Sequence, residues 1–429
     1  MRKNRVLAAA LAVALMAVAS TYLYLPGYLQ GRVYAESDQL ATGVDPMLVK
    51  ANTNFALDLL RELRSEDPGD NVFFSPLSVS TALAMTLNGA RGSTWDAMAH
   101  TLGLSGMTQV DINAAYRDLL VSLTGADAGV SLSTANSVWA DSFLQPYVKK
   151  TFTGSLSSDY LTELFTRDFG DPSTVSDING WVKDKTSGKI DKLIDTLSPD
   201  DVMVLLNAIY FKGDWTIQFD PSKTINEPFK LEGESTATVN MMHTQESDVR
   251  LGYYRGDGFQ IARLPYGREK IAMYIFLPNE NSSLTSMIGT LDQKTFEEAL
   301  TASKISNEEL ALSMPKFKVE YGVKRLNDVL TNMGMGIAFD PNAADLSGIA
   351  DVSTGKLYIG FVDHKAVVEV NEQGTEAAAV TSVGIKLTSM PTIIPFKADR
   401  PFLFVIRDDR SSSVLFMGAI TDPTQAMSP

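Results

Sequence analysis

The sequence contains no cysteine among its 429 residues. This absence excludes disulfide bonds, thiolate metal sites, cysteine nucleophiles and lipid attachment through a cysteine near the start. Histidine is nearly as scarce, since the chain has three, His100, His243 and His364. They are isolated from one another, without the short spacing that metal-binding histidines usually show. The sequence offers few side chains for an active site, and we expect no metal or other cofactor.

The motifs that identify common enzyme families are also missing. The sequence has no Gly-x-Ser-x-Gly elbow, no His-Glu-x-x-His pair, no P-loop and no Gly-x-Gly-x-x-Gly turn. A Ser/His/Asp triad is defined by geometry and leaves no fixed pattern in sequence, so an exported enzyme stays open as an alternative. We nevertheless expect a protein without catalytic residues of its own.

Basic residues are fewer than acidic ones. The chain has 37 Lys and Arg residues against 51 Asp and Glu, so its net charge is −14. Recognition of phosphates requires a dense basic surface, so this balance argues against nucleic acid as a partner. Hydrophobic residues make up 45% and charged residues 21% of the chain, which is ordinary for a globular protein. A chain of this length can bury a large core.

The start of the chain has the pattern of an export signal. A basic cluster at residues 2–5 precedes an uncharged stretch at 6–25, and small residues favour cleavage before Ser20. The uncharged stretch is also just long enough to span a bilayer. We expect residues 1–25 to be a signal peptide or an N-terminal membrane anchor. The protein would then be secreted, or tethered to the outer side of the membrane by residues 6–25.

The rest of the chain is predicted to be a polar linker at 26–47 and one domain at 48–424, without internal repeats. Apolar periodicity predicts helices early in this domain, and β-rich runs predict strands later, so the fold class is α+β. The predicted helices are 51–63, 78–88 and one through Trp181 capped by Thr174 or Ser176. The predicted strands are 202–211, 271–277, 367–370 and 402–407.

One segment near the C-terminus does not fit an ordinary loop. A β-rich run leads into Gly374, and small or β-branched residues then occupy the alternate positions Thr375, Ala377, Ala379, Thr381 and Val383. If this segment became a strand, these side chains would face one side together. Small side chains are what a strand needs to enter an already packed sheet, because bulky ones would overpack it.

The segment resembles the reactive-loop hinge of the serpins, the serine protease inhibitor family, inhibitory type. Further segments resemble serpin motifs in the family's order: Asn71–Ser78, Leu206–Trp215, Met314–Phe317, Asp345–Ile349, His364–Ala366, Asp399–Phe404 and Phe416–Gly418. The resemblance implies the serpin fold, with about nine helices packed on three β-sheets and an exposed reactive-centre loop near the C-terminus.

The resemblance also implies a mechanism. A serine protease attacks the loop and forms an acyl-enzyme, and the cut loop inserts into the main sheet and distorts the covalently attached protease. A metastable native fold would drive this insertion. The expected partner is the target serine protease in a covalent complex, with a papain-like cysteine protease as a secondary candidate. A monomer is expected, and heparin activation is not, because residues 100–130 contain no basic helix.

Site residues follow by matching motifs. The resemblance makes residues 374–379 the hinge of the reactive loop, namely Gly374, Thr375, Glu376, Ala377, Ala378 and Ala379. It makes four polar residues a cluster that governs opening of the sheet: Ser75, Ser78, Asn207 and His364. It places three residues where the loop enters the sheet: Trp215 and the charge pair of Lys316 with Glu372.

The scissile bond can be counted from two sides. Counting from the hinge glycine gives Thr388–Ser389, whereas counting back from Pro401 gives Met390–Pro391. Proline after the scissile carbonyl makes a poor substrate, because it lacks an N–H group. We favour Thr388–Ser389, with Leu387–Thr388 as a fallback, and expect an elastase-like, subtilisin-like or chymotrypsin-like target. A non-inhibitory serpin is the alternative, although such members often carry charged, bulky or proline residues in the hinge.

Overall fold

The computed structural model describes residues 37–162, 164–198, 201–233, 235–244, 249–353, 356–375 and 393–425. The expected signal or anchor at 1–25 and the scissile bond at Thr388–Ser389 lie outside these residues. Within the described ranges, no helix combines the length and apolar character needed to cross a membrane.

The predicted linker is shorter than expected. A short helical segment begins at residue 37, and the carboxylate of Asp38 lies 2.6 Å from Lys270 Nζ and 3.2 Å from Arg410 Nη1. The linker predicted for 26–47 is therefore wrong from residue 37 onward. The ion pairs of Asp38 with Lys270 and Arg410 join residues distant in sequence, so no local sequence pattern reveals them.

Helices are concentrated in the first half of the chain. They are Pro46–Glu66 (α1), Pro76–Leu87 (α2), Gly92–Thr101 (α3), Gln109–Leu123 (α4), Lys150–Asp159 (α5), Ser173–Lys185 (α6), Leu284–Thr290 (α7), Gln293–Ile305 (α8) and Asn327–Leu330 (α9). The α2 helix is buried along its whole length, and Ser75 caps its first turn by accepting a hydrogen bond from the Ser78 N–H. Proline follows this cap at the first helical position, where no N–H is needed.

The strands in chain order are Val72–Phe74 (β1), Val130–Asp141 (β2), Leu164–Arg167 (β3), Met203–Asp214 (β4), Ile225–Lys230 (β5), Thr236–His243 (β6), Arg250–Arg255 (β7), Phe259–Tyr266 (β8), Ile271–Pro278 (β9), Glu308–Pro315 (β10), Phe317–Arg325 (β11), Val362–Val370 (β12), Gly374–Thr375 (β13), Ile394–Lys397 (β14), Phe402–Asp408 (β15) and Ser413–Ile420 (β16). The main sheet has the order β11-β12-β13-β4-β2-β3. The other strands form two further parts, β1-β16-β15-β9-β8-β7 and β14-β10-β6-β5, joined where β10 also pairs with β7.

The two faces of the main sheet have different coverings. Along β4, Leu205 and Ile209 face the large core between the main sheet and the β15–β16 region, whereas Val204 and Leu206 face the opposite side of the sheet. On that side they are buried in a smaller cluster that includes Ile178 of α6. Alternation along the strand thus assigns odd positions of β4 to the core and even positions to the α6 side.

Most predicted elements are confirmed. The helices predicted at 51–63 and 78–88 lie within α1 and α2 or end one residue beyond them, and the four predicted strands fall on β4, β9, β12 and β15. The predicted cap of α6 is wrong. This helix begins after Pro172 without a side-chain cap, and the Thr174 hydroxyl donates to the Asp168 carbonyl at 2.6 Å from inside the first turn.

Candidate functional site

The first two hinge residues are already part of the main sheet. Gly374 and Thr375 form β13, which runs antiparallel to both of its neighbours. Thr375 lies opposite Val370 of β12 and opposite Gly213 of β4. The sheet therefore accepts the start of the loop as a short strand between two longer ones.

Below β13 the two long strands pair directly with each other. The pairing is parallel and runs from Val367 opposite Tyr210 down to Val362 opposite Leu205. We call the line between β12 and β4 the slot. At the upper end of the slot, β13 separates β12 from β4. Below β13 no strand lies between them, and the slot is closed by their direct pairing. A loop strand that extended β13 would have to part these six residue pairs.

Gly374 is required by both backbone conformation and space. Its φ is +152°, and a Cβ atom there would lie 2.1 Å from the Gly213 carbonyl oxygen and 2.7 Å from the Asp214 Cα. Because both obstacles are backbone atoms, no rotation of a side chain can relieve them. The hinge can lie this close to β4 only with glycine at this position.

Thr375 faces the core and makes one specific polar contact there. It is 1% exposed, and its hydroxyl lies 2.9 Å from the hydroxyl of Tyr266, which is itself fully buried. Burial raises the pKa of Tyr266 above its ordinary value, so this phenol stays protonated. The inward orientation of Thr375 extends the alternation seen along β4 into the loop.

Trp215 packs against the turn that leads into the hinge. Its ring stacks on Tyr266 with centroids 4.4 Å apart, and its Nε1 donates to the Asn371 carbonyl at 2.9 Å. Its backbone N–H donates to the Gln373 carbonyl, also at 2.9 Å. Trp215 therefore holds the chain immediately before Gly374 through both its side chain and its backbone.

The charge pair of Lys316 with Glu372 forms beside this turn. Lys316 Nζ lies 2.9 Å from Glu372 Oε2, and the Thr224 hydroxyl donates to Oε1 at 2.8 Å. Burial works against the charged carboxylate, but the Lys316 and Thr224 contacts outweigh it and lower the pKa of Glu372. Glu372 is 8% exposed, so the pair is more buried than an ordinary surface ion pair.

A polar cluster lies under the closed part of the slot. The His364 Nε2 accepts a hydrogen bond from the Ser75 N–H at 3.1 Å, and the Ser75 hydroxyl donates to the Leu415 carbonyl at 2.6 Å. The Ser78 hydroxyl donates to Asn136 Oδ1 at 3.3 Å. Complete burial lowers the pKa of His364 from 6.5 to about 3, so the ring is neutral at physiological pH.

The register of three strands completes this cluster. His364 of β12 lies opposite Asn207 of β4, and Asn207 lies opposite Asn136 of β2. The side chain of Asn207 is outside the described atoms, so its place is given by the backbone alone. The cluster thus joins three strands of the main sheet to the N-terminus of α2.

Comparison with known proteins decides the family. A family model described as "Serpin (serine protease inhibitor)" matches residues 50–423. The chain is 35% identical to human Serpin B11 over 399 residues, which covers 88% of this chain and 99% of that protein. The chain belongs to the serpin family.

Solved structures agree with this assignment. The native-state crystal structure of the thermophilic serpin tengpin superposes with a TM-score of 0.79 at 33% identity, covering 88% of this chain and 95% of that one. Iripin-5 of Ixodes ricinus is a further relative, 37% identical over 379 residues, with 86% of this chain and 93% of that protein covered. Serpin membership and the expected α+β serpin fold are confirmed, and protease inhibition is the general function that the family supports.

Not every predicted site residue of this serpin can be placed. Within the described chain, the hinge is seen at Gly374 and Thr375, together with Trp215, Lys316 and Glu372 around them. The hinge residues 376–379 lie outside the described residues. Thr388 and Ser389 lie outside them as well, as do both alternative scissile bonds.

Sequence reasoning missed two residues that the serpin fold brings to the site. Asn136 joins the polar cluster, and Tyr266 holds Thr375. Their hydrogen-bond partners lie 58 and 109 residues away in sequence. No local periodicity encodes such contacts, so only a family resemblance for these two positions would have found them.

Proposed function

We propose that this serpin is an extracytoplasmic inhibitor of serine proteases that traps its target by inserting the cleaved reactive loop. The protease would attack the bond after Thr388 and form an acyl-enzyme with this residue. Insertion of the loop into the slot would then carry the acylated protease along the sheet before water hydrolyses the ester. Elastase-like, subtilisin-like and chymotrypsin-like enzymes are the proposed targets.

The observation that supports this proposal is the short strand β13. Gly374 and Thr375 already pair with β4, so insertion continues an existing strand instead of starting a new one. From Thr375 to Thr388 there are 14 residues, a strand of about 46 Å at about 3.3 Å per residue. This continuation would satisfy backbone groups and bury the small alternate residues of the loop.

The packing around the slot explains why those residues are small. Continuing the register of Thr375 opposite Gly213 brings Ala377 opposite Phe211 and Ala379 opposite Ile209. Both β4 residues are buried in the large core. A bulky or charged side chain at either loop position would have to displace packed atoms or bury a charge, which slows or prevents insertion.

The export signal supports an extracytoplasmic location. A basic cluster at residues 2–5 and the uncharged stretch at 6–25 would direct the chain across a membrane. Fusing residues 1–36 to a reporter enzyme and locating its activity tests this part. Reporter activity inside the cell would contradict it, and release against retention would separate a cleaved signal from an anchor.

The trapping reaction can be tested on the chain from Ser20 onward. It is incubated with subtilisin, pancreatic elastase, chymotrypsin or trypsin and analysed on denaturing gels and by mass spectrometry. We expect a boiling-resistant band at the summed mass with at least one of the first three, and a released peptide that begins at Ser389. Cleavage by each of them without this band, and without a rise in unfolding temperature, would contradict the proposal.

A composition-matched variant isolates the insertion step. The double substitution E376A/A377E moves one carboxylate from an outward position to an inward one and leaves net charge and composition unchanged. We expect E376A/A377E to be cleaved as a substrate with little covalent complex, because insertion would bury a charge beside Phe211. The single variant Glu376→Ala is the control and should trap as the parent does. Equal yields of covalent complex from the parent, E376A/A377E and Glu376→Ala would show that the loop does not insert in this register.

A further inference from the structure

The described chain has a small hollow at the lower end of the slot. Its volume is about 250 Å³, and Ser353 and Lys356 make part of its lining polar. The other six of its eight lining residues are apolar or aromatic: Phe143, Tyr147, Val202, Val352, Leu357 and Tyr358. Phe143 is 53% and Tyr147 46% exposed, which is unusual for large aromatic side chains. The ligand cavities of proteins usually hold about 300–1,000 Å³, so this hollow suits a single side chain better than a small molecule.

The hollow lies in line with the slot. Val202 immediately precedes β4, and Leu357 and Tyr358 lie shortly before β12. These are the two strands that would separate to admit the loop. A strand inserted between them and continued past their lower ends would therefore arrive at these lining residues.

The register identifies which loop residues arrive there. Thr375 lies opposite Gly213, and antiparallel pairing lowers the β4 number by one for each loop residue added. Residue 385 would then lie opposite Met203, where β4 begins, and Leu387 would lie opposite Asp201. The last residues before the proposed scissile bond therefore extend beyond the strand and reach the hollow.

The expected orientation of the Leu387 side chain also agrees with entry into the hollow. It is twelve residues beyond Thr375, so in a continuous strand its side chain would face the same side, toward the core. Leu357 is buried in that core, and Val202 and Val352 pack against it. These three lining residues and the Leu387 side chain would thus meet on the same face of the main sheet.

We propose that the hollow receives the Leu387 side chain when the cleaved loop has inserted. This inference rests on the proposed function. Burial of an apolar side chain against the apolar part of this hollow would hold the end of the inserted strand, and Thr388, which would carry the acyl bond, is the neighbour of Leu387. The hollow would fix the depth of insertion and so restrict the motion of the trapped protease relative to the sheet.

A double-mutant cycle tests this contact. Leu387→Ala and Tyr147→Ala are combined, and chemical denaturation is measured before and after loop cleavage, with the cut site verified by mass spectrometry. In the cleaved chain we expect each variant to lower the denaturation midpoint and the double variant to lower it little further. In the uncleaved chain Leu387→Ala should have no effect. Ile305→Ala is a matched control, because this 80% exposed residue lies outside the hollow and should add independently to Leu387→Ala.

The outcomes separate this inference from the function on which it rests. If cleavage of the parent chain produces no gain in stability, the loop does not insert and the proposed function fails with the inference. If cleavage stabilises the chain but Leu387 and Tyr147 contribute additively, only the hollow assignment is overturned. A shorter lifetime of the covalent complex in Tyr147→Ala that does not depend on residue 387 would instead assign the hollow to the protease.

Discussion

Lowering the pH from about 7 to about 5 should destabilise this serpin through His364. Burial keeps the His364 ring neutral in the folded state and lowers its pKa to about 3, whereas in the unfolded chain it returns to about 6.5. Between these two values the unfolded state binds a proton that the folded state does not. The stabilising contribution is therefore complete above pH 6.5 and is lost as the pH falls from 6.5 toward 3.

The size of the effect follows from the linkage relation. Each pH unit in this window removes about 1.4 kcal/mol, so the change from about pH 7 to about pH 5 removes about 2 kcal/mol. We do not reduce this free-energy change for solvent screening, because the His364 ring is completely buried. Asp38 and Glu372 have lowered pKa values, so their contributions persist between about pH 7 and about pH 5 and are lost only as the pH falls below the unfolded-state pKa of a carboxylate, about 4.

The assay is urea denaturation at about pH 7 and about pH 5 for the parent and for His364→Gln. A glutamine amide can accept the Ser75 N–H bond and does not titrate, so the difference between the two proteins isolates the histidine. We expect the parent to lose about 2 kcal/mol more than the variant over this range. Equal losses would refute the reasoning, because they would mean that His364 is protonated in the folded chain or titrates equally in both states.

Three further substitutions test the contacts at the upper end of the slot. Gly374→Ala should expel β13, because the new Cβ would lie 2.1 Å from a backbone oxygen, and the Thr375 amide should then exchange hydrogen faster. Unchanged exchange would contradict this. Thr375→Val should destabilise the chain by about 1–3 kcal/mol in thermal unfolding, since it removes the polar partner of the buried Tyr266 hydroxyl. Adding Tyr266→Phe should recover most of that loss, and an additive double variant would argue against the contact. The Lys316 side chain is still 39% exposed, so solvent screens this pair in part although Glu372 is buried. Lys316→Ala should therefore lower stability by about 1 kcal/mol in low salt and by less in high salt, whereas a loss independent of salt would exclude an ionic role beside Glu372.

The extent to which sequence predicts this molecule depends on the range of the contacts involved. The α2 helix lies where apolar periodicity predicts one, at 78–88. The inward orientation of Thr375 follows from the alternation of small residues after Gly374. These features depend on neighbours within a few residues, so the sequence pattern alone predicts them.

Contacts between distant segments could not be predicted in this way. The packing of Asp38 against Lys270 and Arg410 contradicts the linker expected at 26–47, since a polar stretch looks the same whether it is solvated or paired. The Lys316–Glu372 pair was expected where the loop enters the sheet, but neither the burial of the Glu372 carboxylate nor its bond from the Thr224 hydroxyl could be predicted. The family resemblance identified the two residues of this pair. Their burial depends on contacts between distant segments, which only the folded structure shows.

The arrangement of the slot implies an order of opening if the loop inserts as proposed. The first pair to part is Val367 with Tyr210, directly below β13, and its lost backbone bonds are replaced at once by bonds to the incoming strand. His364 lies three residues further down, and its ring accepts a bond from the first residue before α2. Moving β12 away from β4 at that level must either carry α2 along or break this bond. Because the replacement bonds of the loop strand cannot compensate for a side-chain bond beneath the sheet, we expect passage of this level to limit the rate of insertion. His364→Ala, which removes the acceptor of this bond, should therefore change the yield of covalent complex relative to cleaved inhibitor, whereas His364→Gln, which keeps an acceptor, should change it less.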